Sequence, residues 1–184
     1  MLLDLTLPVT PAMLKEAKEL NDPALEGHLG THFDVMDKEF PLEYTERPGI
    51  LFDVSRVEGE EIGVGDVALS KVEPGSFVAF YSGYGEKVAY GAPGYFSKGP
   101  MLSYELIDAL LEKQVSVIGL DFGGIRRGKE HIPADQTCAD RGVFVVENLA
   151  NLSALEGKDF TVHTYPMAFT GITGLPCRVI AEIE

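Results

Sequence analysis

The stretch from Ser103 to Phe122 constrains the fold more than any other part of the sequence. Ser103 is a suitable N-cap for a helix over about 104–113, in which leucine and isoleucine side chains recur on one face. Residues 115–122 then form a strongly apolar run, which predicts a buried strand. A helix followed directly by a buried strand is typical of α/β proteins.

Other segments extend this pattern. Short apolar or alternating runs predict further strands at about 2–7, 25–36, 50–57, 75–81, 143–146, 160–165 and 177–183. Good helix formers predict a short helix at 12–20, and the glycine, proline and tyrosine residues of 83–100 predict a long loop. Because strands outnumber helices, the sequence predicts a single α/β domain over residues 1–184 with a mixed central sheet.

Charge and cysteine content restrict the possible partners and the compartment. A net charge of −14, from 29 acidic and 15 basic residues, argues against a nucleic acid or an anionic membrane as the partner. The short basic cluster at 126–129 is more simply explained by local structure than by a site for a polyanion. No run approaches the roughly 20 apolar residues of a membrane span, and the first residues lack the pattern of a signal peptide. Cys138 and Cys177 alone do not make a disulfide framework, so we expect a cytoplasmic protein.

Residues 28–34, with the sequence HLGTHFD, carry the strongest chemical signal. In an extended strand, alternate side chains share one face, which places His28, Gly30, His32 and Asp34 on the same side. Two imidazoles and one carboxylate form a donor set that suits zinc or manganese, and Gly30 leaves room for an ion or a substrate. An ordinary hydrogen-bonded cluster is the competing interpretation.

Two later segments add acidic groups near predicted strand ends. Glu147 ends the apolar run 143–146, and a buried carboxylate costs free energy unless it is paired or bound to a metal. By residue type alone, capping of the next turn is the favoured role for Glu147. His131 and Asp135 are four residues apart, which is one turn if the chain is helical there, although a solvated loop face is the commoner case. Nothing marks Cys138 as an activated thiol, and His163, alone in a strand, favours a structural role.

The order of these motifs resembles the metal-dependent cyclase family, which includes bacterial kynurenine formamidase (arylformamidase) and isatin hydrolase. Residues 28–34 resemble the first part of the family signature His-x-Gly-Thr-His-x-Asp-x-Pro-x-His, and residues 145–152 (VVENLANL) are similar to a second family hallmark. Similar segments at 4–9, 100–103, 117–121 and 174–181 spread the resemblance over nearly the whole chain. The resemblance implies a swivelling β/β/α fold, a homodimer or larger homo-oligomer, and one or two divalent ions, commonly zinc or manganese.

The resemblance also implies a ligand set, which consists of His28, His32, Asp34 and Glu147. A further family ligand, a histidine, is replaced here by Asp135. Aspartate binds the same ions through oxygen, which shifts the preference from zinc towards manganese or magnesium.

The end of the signature is also changed, since its Pro and its final His are Met36 and Lys38 in this chain. That histidine is the implied proton shuttle of the formamidases. Lys38 can replace it only if burial or a nearby cation lowers its pKa substantially. His131 is the other candidate for the proton-transfer role, and it is also a possible substitute for the missing imidazole ligand.

The implied activity is hydrolysis of a small amide, a formamide, or a cyclic amide or lactone. The ion lowers the pKa of a bound water, the resulting hydroxide attacks the carbonyl, and His131 or Lys38 moves the proton to the leaving atom. N-Formylkynurenine, which derives from tryptophan, is the best-known substrate of the family, and the substitutions at 36, 38 and 135 favour a different small substrate. The tyrosine-rich segment 81–96 either walls the pocket or packs at a subunit interface. The alternatives are a non-catalytic metal- or small-molecule-binding homologue that has lost the shuttle, and a metal-free structural relative.

Overall fold

The computed structural model describes residues 1–21 and 27–184. The strands in these residues are β1 (Leu2–Asp4), β2 (His32–Asp34), β3 (Glu46–Asp53), β4 (Glu61–Ile62), β5 (Phe77–Tyr81), β6 (Met101–Leu102), β7 (Val117–Leu120), β8 (Phe144–Glu147), β9 (Phe160–Pro166) and β10 (Gly174–Ile183). The α-helices are α1 (Pro11–Leu20), α2 (Tyr84–Lys87), α3 (Tyr95–Lys98), α4 (Tyr104–Glu112) and α5 (His131–Asp140). Short 3₁₀ segments occupy Leu42–Thr45, Val64–Asp66, Leu69–Lys71, Gly128–Glu130 and Leu152–Leu155.

Eight of these strands form one mixed sheet in the order β1-β10-β2-β8-β7-β5-β3-β9. The central neighbours β8, β7, β5 and β3 are parallel, whereas the other pairs are antiparallel. The long strand β10 also pairs with β9, so the sheet closes on itself like a barrel. The predicted single α/β domain with a mixed sheet is confirmed.

The apolar strands carry side chains into two cores on opposite faces of the sheet. On β5, Val78 and Phe80 join the core beneath α4, whereas Phe77 and Ala79 join the core that the closed sheet surrounds. Because both faces of such strands are buried, their sequences are continuous apolar runs. Helix α4 begins as predicted, since the Ser103 side chain accepts a hydrogen bond from the backbone N–H of Leu106.

The strand predicted at 25–36 is wrong in extent. Residues 22–26 lie outside the described residues, 27–31 form turns and bends, and only His32–Asp34 is a strand. The interruption has a local cause at Gly30, which has a φ of 75° and where a Cβ atom would lie 2.6 Å from the Cγ2 atom of Val9. Only glycine adopts this conformation without steric cost, so the chain leaves the extended conformation here.

Two other predicted segments differ in detail. Strand β3 begins at Glu46 rather than at 50, because its first residues pair with β9. The two strands approach closely at Gly49, where a Cβ atom would lie 2.0 Å from the Phe160 ring. The predicted loop 83–100 contains the single-turn helices α2 and α3. Among the described residues, no helix combines the length and apolarity that crossing a membrane requires.

Candidate metal centre

Three neighbouring elements bring the candidate ligands together on the outer face of the sheet. Strand β2 pairs antiparallel with β8, which places His32 opposite Glu147 and puts Asp34 two residues further along the same face. Helix α5 packs against β8 and carries His131 and Asp135 one turn apart. The six side chains that converge here are called the donor cluster and are His28, His32, Asp34, His131, Asp135 and Glu147.

The first part of the donor cluster contains the two histidines of the 28–34 segment. Asp34 Oδ1 lies 3.3 Å from His28 Nε2 and 3.7 Å from His32 Nε2. The two imidazole rings stand at 74° to each other with centroids 5.0 Å apart. Two atoms that each lie about 2.1 Å from one ion in tetrahedral coordination are about 3.4 Å apart, so this spacing fits a shared ion.

His28 reaches this position by a route that differs from the one predicted. It lies in the turn before β2 rather than on the strand, and its Nε2 atom also lies 3.3 Å from the Thr173 hydroxyl. The two histidines therefore converge because the chain turns at Gly30, not because they alternate along one strand.

The second part of the donor cluster is centred on His131. Its Nε2 atom lies 3.0 Å from Asp135 Oδ2, 3.0 Å from Glu147 Oε1 and 4.0 Å from Asp34 Oδ2. Glu147 Oε2 lies 3.8 Å from His32 Nε2 and so connects the two parts. Ligand atoms of Asp34, His131 and Asp135 converge closely enough to share an ion, as do those of His28, His32 and Asp34, and Asp34 belongs to both groups.

Two carboxylate oxygens of the donor cluster are buried without a hydrogen bond from the described residues. Asp34 Oδ2 and Asp135 Oδ1 accept no hydrogen bond from any described residue. Asp34, Asp135 and Glu147 are each at most 4% exposed as whole residues, and burial is costly for three acidic groups that lie close together. A divalent cation satisfies such oxygens and offsets the negative charge, so the residues present fit an ion with mixed nitrogen and oxygen ligands.

Burial and mutual repulsion shift the acid–base properties of the cluster. Burial raises the pKa of Asp135 and Glu147 to about 7, and the nearby charge of Asp34 adds to this effect. Burial also opposes ionisation of Asp34, but the surrounding imidazoles outweigh it and lower its pKa. Burial would lower the pKa of His131, yet its hydrogen bonds to the two carboxylates raise it to about 11. Without an ion, the cluster therefore holds protons that a cation must displace.

Lys38 does not join the donor cluster. Its Nζ atom lies 2.8 Å from Asp140 Oδ1 and 2.9 Å from Asp37 Oδ1 at the surface. Hydrogen bonds to these carboxylates, with that to Asp140 the larger effect, raise its pKa. The depressed pKa that a proton-shuttling lysine requires is therefore not produced by this environment.

A cavity of about 880 Å³ opens over the donor cluster. Tyr90 and Phe96 line it, as expected if the tyrosine-rich segment walls a pocket, whereas Tyr81, Tyr84 and Tyr95 do not. Sequence reasoning missed most of the other apolar lining, which comes from α1, from the turn before β2, from α5 and from the loop before β10: Met13, Leu20, Leu29, Ile132 and Ile172. These residues lie far apart in the sequence, and no spacing pattern connects them.

Residues assigned structural roles lie outside the donor cluster. His163 Nε2 lies 3.2 Å from Glu182 Oε2. Cys138 is fully buried on the inner side of α5, and burial raises its pKa to about 12. In the basic cluster 126–129, Arg126 and Arg127 pair with carboxylates of neighbouring segments, as the local interpretation predicts.

Comparison with solved structures identifies the same fold in several proteins. A potential metal-dependent hydrolase with cyclase activity is 23% identical, with a TM-score of 0.77 over 98% of this chain and 96% of the other. Isatin hydrolase A from Labrenzia aggregata, bound to benzyl benzoate, is 20% identical, with a TM-score of 0.76 over 98% and 93% of the two chains. Isatin hydrolase A from Ralstonia solanacearum is 20% identical, with a TM-score of 0.72 over 84% and 72%.

Sequence comparison gives the family. No curated protein matches the sequence significantly. The model of the Cyclase family matches residues 3–125, which include His28, His32 and Asp34. Since this match spans more than half of the sequence, the chain belongs to the cyclase family.

Proposed function

We propose that the chain is a metal-dependent hydrolase of a small amide, formamide, or cyclic amide or lactone. The observation that carries the proposal is a pair of buried oxygens, one from Asp34 and one from Asp135, that accept no hydrogen bond from the described residues and lie beside imidazoles at the base of a cavity. An ordinary hydrogen-bonded cluster does not leave such atoms unsatisfied. The names of the structurally similar hydrolases support the same class of reaction.

The ligand assignment follows the two groups of converging atoms. His28, His32 and Asp34 would hold one ion, and the carboxylates of the second group, Asp34 and Asp135, would offer oxygens to a second. Glu147, which lies beside both His32 and His131, would add a further oxygen. Zinc and manganese both accept this mixture of nitrogen and oxygen, and the oxygen-rich second group favours manganese. A divalent ion here supplies a Lewis acid and lowers the pKa of a bound water.

His131 is the residue that we assign to proton transfer. Its Nε2 atom is within hydrogen-bond distance of two carboxylates, and ionised carboxylates only accept, so Nε2 carries a proton. Its side chain is 36% exposed and lines the cavity. There it can donate that proton to the leaving nitrogen or oxygen as the bond of that atom to the carbonyl carbon breaks, and it can take back the proton that the attacking water releases. Lys38, held between two surface carboxylates, has no part in this proposal.

The cavity walls supply binding rather than chemistry. Tyr90, Phe96 and Ile172 present apolar and aromatic surface above the donor cluster. Such walls bind the body of a small organic substrate and exclude bulk water from the carbonyl carbon.

A matched pair of histidine variants tests the proposal. The wild-type protein, loaded with zinc or manganese, is assayed against formamides, cyclic amides and lactones. His131→Gln lowers kcat by about 100-fold or more, since general acid catalysis contributes at least that factor. His163→Gln, which removes a histidine outside the cluster, leaves kcat unchanged. Equal activities of the two variants would exclude His131 from the reaction.

The same assay distinguishes the non-catalytic alternative. The position of Lys38 favours that alternative, because the family shuttle has no replacement at residue 38. A protein that binds ions tightly but turns over none of these compound classes would be a metal- or small-molecule-binding homologue.

Assembly is a separate part of the proposal. Exposed apolar side chains, which include Leu42, Met167 and Phe169, line a groove of about 760 Å³ next to the cavity. We propose a homodimer or larger homo-oligomer, as the family resemblance implies. Sedimentation equilibrium tests it, and a monomer at micromolar concentration would contradict it.

A further inference from the structure

A buried polar chain continues from the donor cluster into the protein interior. His32 Nδ1 lies 3.0 Å from the carbonyl oxygen of Gly30. Because a carbonyl oxygen only accepts hydrogen bonds, Nδ1 carries the proton of the neutral ring. Nε2 is then the unprotonated atom, and it faces Asp34 and Glu147 in the donor cluster.

The Gly30 carbonyl is shared with a second donor, the side chain of Asn148. Asn148 Nδ2 lies 3.0 Å from this oxygen, and a carbonyl with two lone pairs accepts both hydrogen bonds. Asn148 is only 2% exposed and directly follows Glu147 at the end of β8. The residue after one candidate ligand therefore holds the backbone that orients another.

Asn148 is itself fixed from two sides. The Tyr95 hydroxyl donates to Asn148 Oδ1 over 2.9 Å, and the Thr31 hydroxyl donates to the Asn148 carbonyl over 2.7 Å. The Gly30 carbonyl only accepts hydrogen bonds, so it fixes Nδ2 as the end of the amide that faces Gly30 and leaves Oδ1 to accept from Tyr95. Burial raises the pKa of Tyr95, so its hydroxyl stays protonated and remains a donor.

The backbone at both ends of this contact needs an external restraint. Gly30 has a φ of 75° and Asn148 a φ of 57°. A glycine in the left-handed region has few steric limits, so its peptide group can rotate unless a hydrogen bond holds the carbonyl. Asparagine is among the few residues with a side chain that adopt this region readily, and it also supplies the amide donor.

We propose that Asn148, oriented by Tyr95, is a positioning residue that holds the Gly30 carbonyl towards His32 and so directs His32 Nε2 to the ion site. The proposal rests on the proposed function for the identity of that site. Partners of this kind fix the tautomer and orientation of a ligating histidine and typically change metal affinity by about 10- to 100-fold.

Four variants and two measurements test it. Asn148→Gly keeps the left-handed backbone and removes the amide, Asn148→Asp keeps the shape and the contact with Tyr95 but removes the donor, and Tyr95→Phe removes only the outer hydrogen bond. The matched control is Asn151→Gly, because Asn151 has a φ of 59° and donates to the Asp4 carbonyl at an exposed position. The His32 tautomer is measured by ¹⁵N NMR in metal-free protein, and zinc and manganese affinities by calorimetry.

In both Asn148 variants we expect mixed His32 tautomers and ion binding weakened by about 10-fold or more. Tyr95→Phe weakens ion binding by about fivefold, which is the effect expected from the loss of one neutral hydrogen bond. Asn151→Gly leaves both the His32 tautomer and the ion affinity unchanged. An unchanged tautomer and an affinity within about twofold of wild type in a folded Asn148 variant would overturn the proposal. If the wild type binds no ion, the proposed function fails, but the tautomer measurement still decides the role of Asn148.

Discussion

Two charge clusters within residues 1–21 and 27–184 differ in whether their hydrogen bonds are complete. The first cluster is centred on Arg126, a residue that is only 4% exposed. Its guanidinium donates hydrogen bonds of 2.6–3.0 Å to Glu61, to Glu130 and to the Leu102 carbonyl. The guanidinium also lies over the Tyr104 ring at 4.4 Å. Each guanidinium nitrogen has a partner, and the two carboxylates are partly exposed, so the protein alone satisfies this group.

The donor cluster has the opposite character. Three buried carboxylates surround His131, and two of their oxygens accept no hydrogen bond from any part of the chain that the structure describes. The contrast shows that burial of charge alone does not identify a functional site. A cluster whose hydrogen bonds are complete stabilises the fold, whereas one with unsatisfied inward-facing oxygens has the composition of a binding site.

The largest expected effect is the loss of ion binding in His32→Ala. This change removes the imidazole between Asp34 and Glu147, and we expect ion affinity at the first site to fall by more than about 100-fold with a modest change in fold. Elemental mass spectrometry of the purified variant, with circular dichroism as a control, measures both. An unchanged metal content would remove His32 from the site.

Arg126→Met disrupts the complete cluster and leaves the donor cluster intact. It leaves the partly exposed Glu61 and Glu130 without their cation, and we expect the free energy of unfolding to fall by about 2 kcal/mol. Urea denaturation measures this loss, while metal content stays at the wild-type level. If the variant lost its ions and kept its stability, the distinction between the two clusters would be wrong.

Asp135→Asn separates the two groups of ligands within the donor cluster. Asp135 belongs to the group that includes His131 and not to the group of the two histidines in 28–34. We therefore expect the affinity for the second ion to fall by about tenfold and the affinity for the first ion to stay unchanged. Equal weakening of both ions in a calorimetric titration would indicate one coupled site.

The stabilisation that an ion gives should increase with pH. In the metal-free protein, Asp135 and Glu147 have a pKa raised to about 7, and that of His131 is raised to about 11. Groups with a raised pKa stabilise the fold at low pH and lose this contribution as pH rises through the folded-state value, so metal-free stability falls above about pH 5. An ion displaces the same protons more easily at high pH, so we expect manganese to raise the Tm by about 3 °C more at pH 8 than at pH 6. A shift that is larger at pH 6 would contradict this.

Lys38→Ala should have the smallest effect on turnover and ion content. The Lys38 amine pairs with Asp37 and Asp140 outside the donor cluster, and exposed pairs of this kind contribute little to stability. We expect kcat within about twofold of wild type. A fall of 100-fold would return the proton-transfer role to Lys38.

The sequence predicts the elements with strong local signals. Helix α4 has a clear cap and an apolar stripe, and the strands buried on both faces have unbroken apolar runs. The sequence predicts too long a strand around β2, because the alternation in 28–34 is typical of a strand. The tight contact of Gly30 with Val9, which interrupts the strand, involves a segment about 20 residues away and leaves no local pattern.

For the site as well, local patterns in the sequence predict residue types, but they do not predict contacts between distant segments. The chemistry of His28, His32 and Asp34 could be recognised from residue type and spacing, and the structure brings these side chains together. The surface position of Lys38 follows from its pairing with Asp140, a residue about 100 positions away, and no local pattern reports this. Asn148 likewise acts through Gly30 across the β2–β8 pair, which becomes visible only once the strands are aligned.

The most direct test of the account is the metal content of the wild-type protein, purified without added metal or chelator and measured by elemental mass spectrometry. The unsatisfied oxygens of Asp34 and Asp135 predict at least one equivalent of zinc or manganese per chain, with a second taken up on titration with manganese. A protein that contains no divalent ion and takes up none on titration would contradict the account, because the donor cluster would then be a buried charge cluster without a ligand.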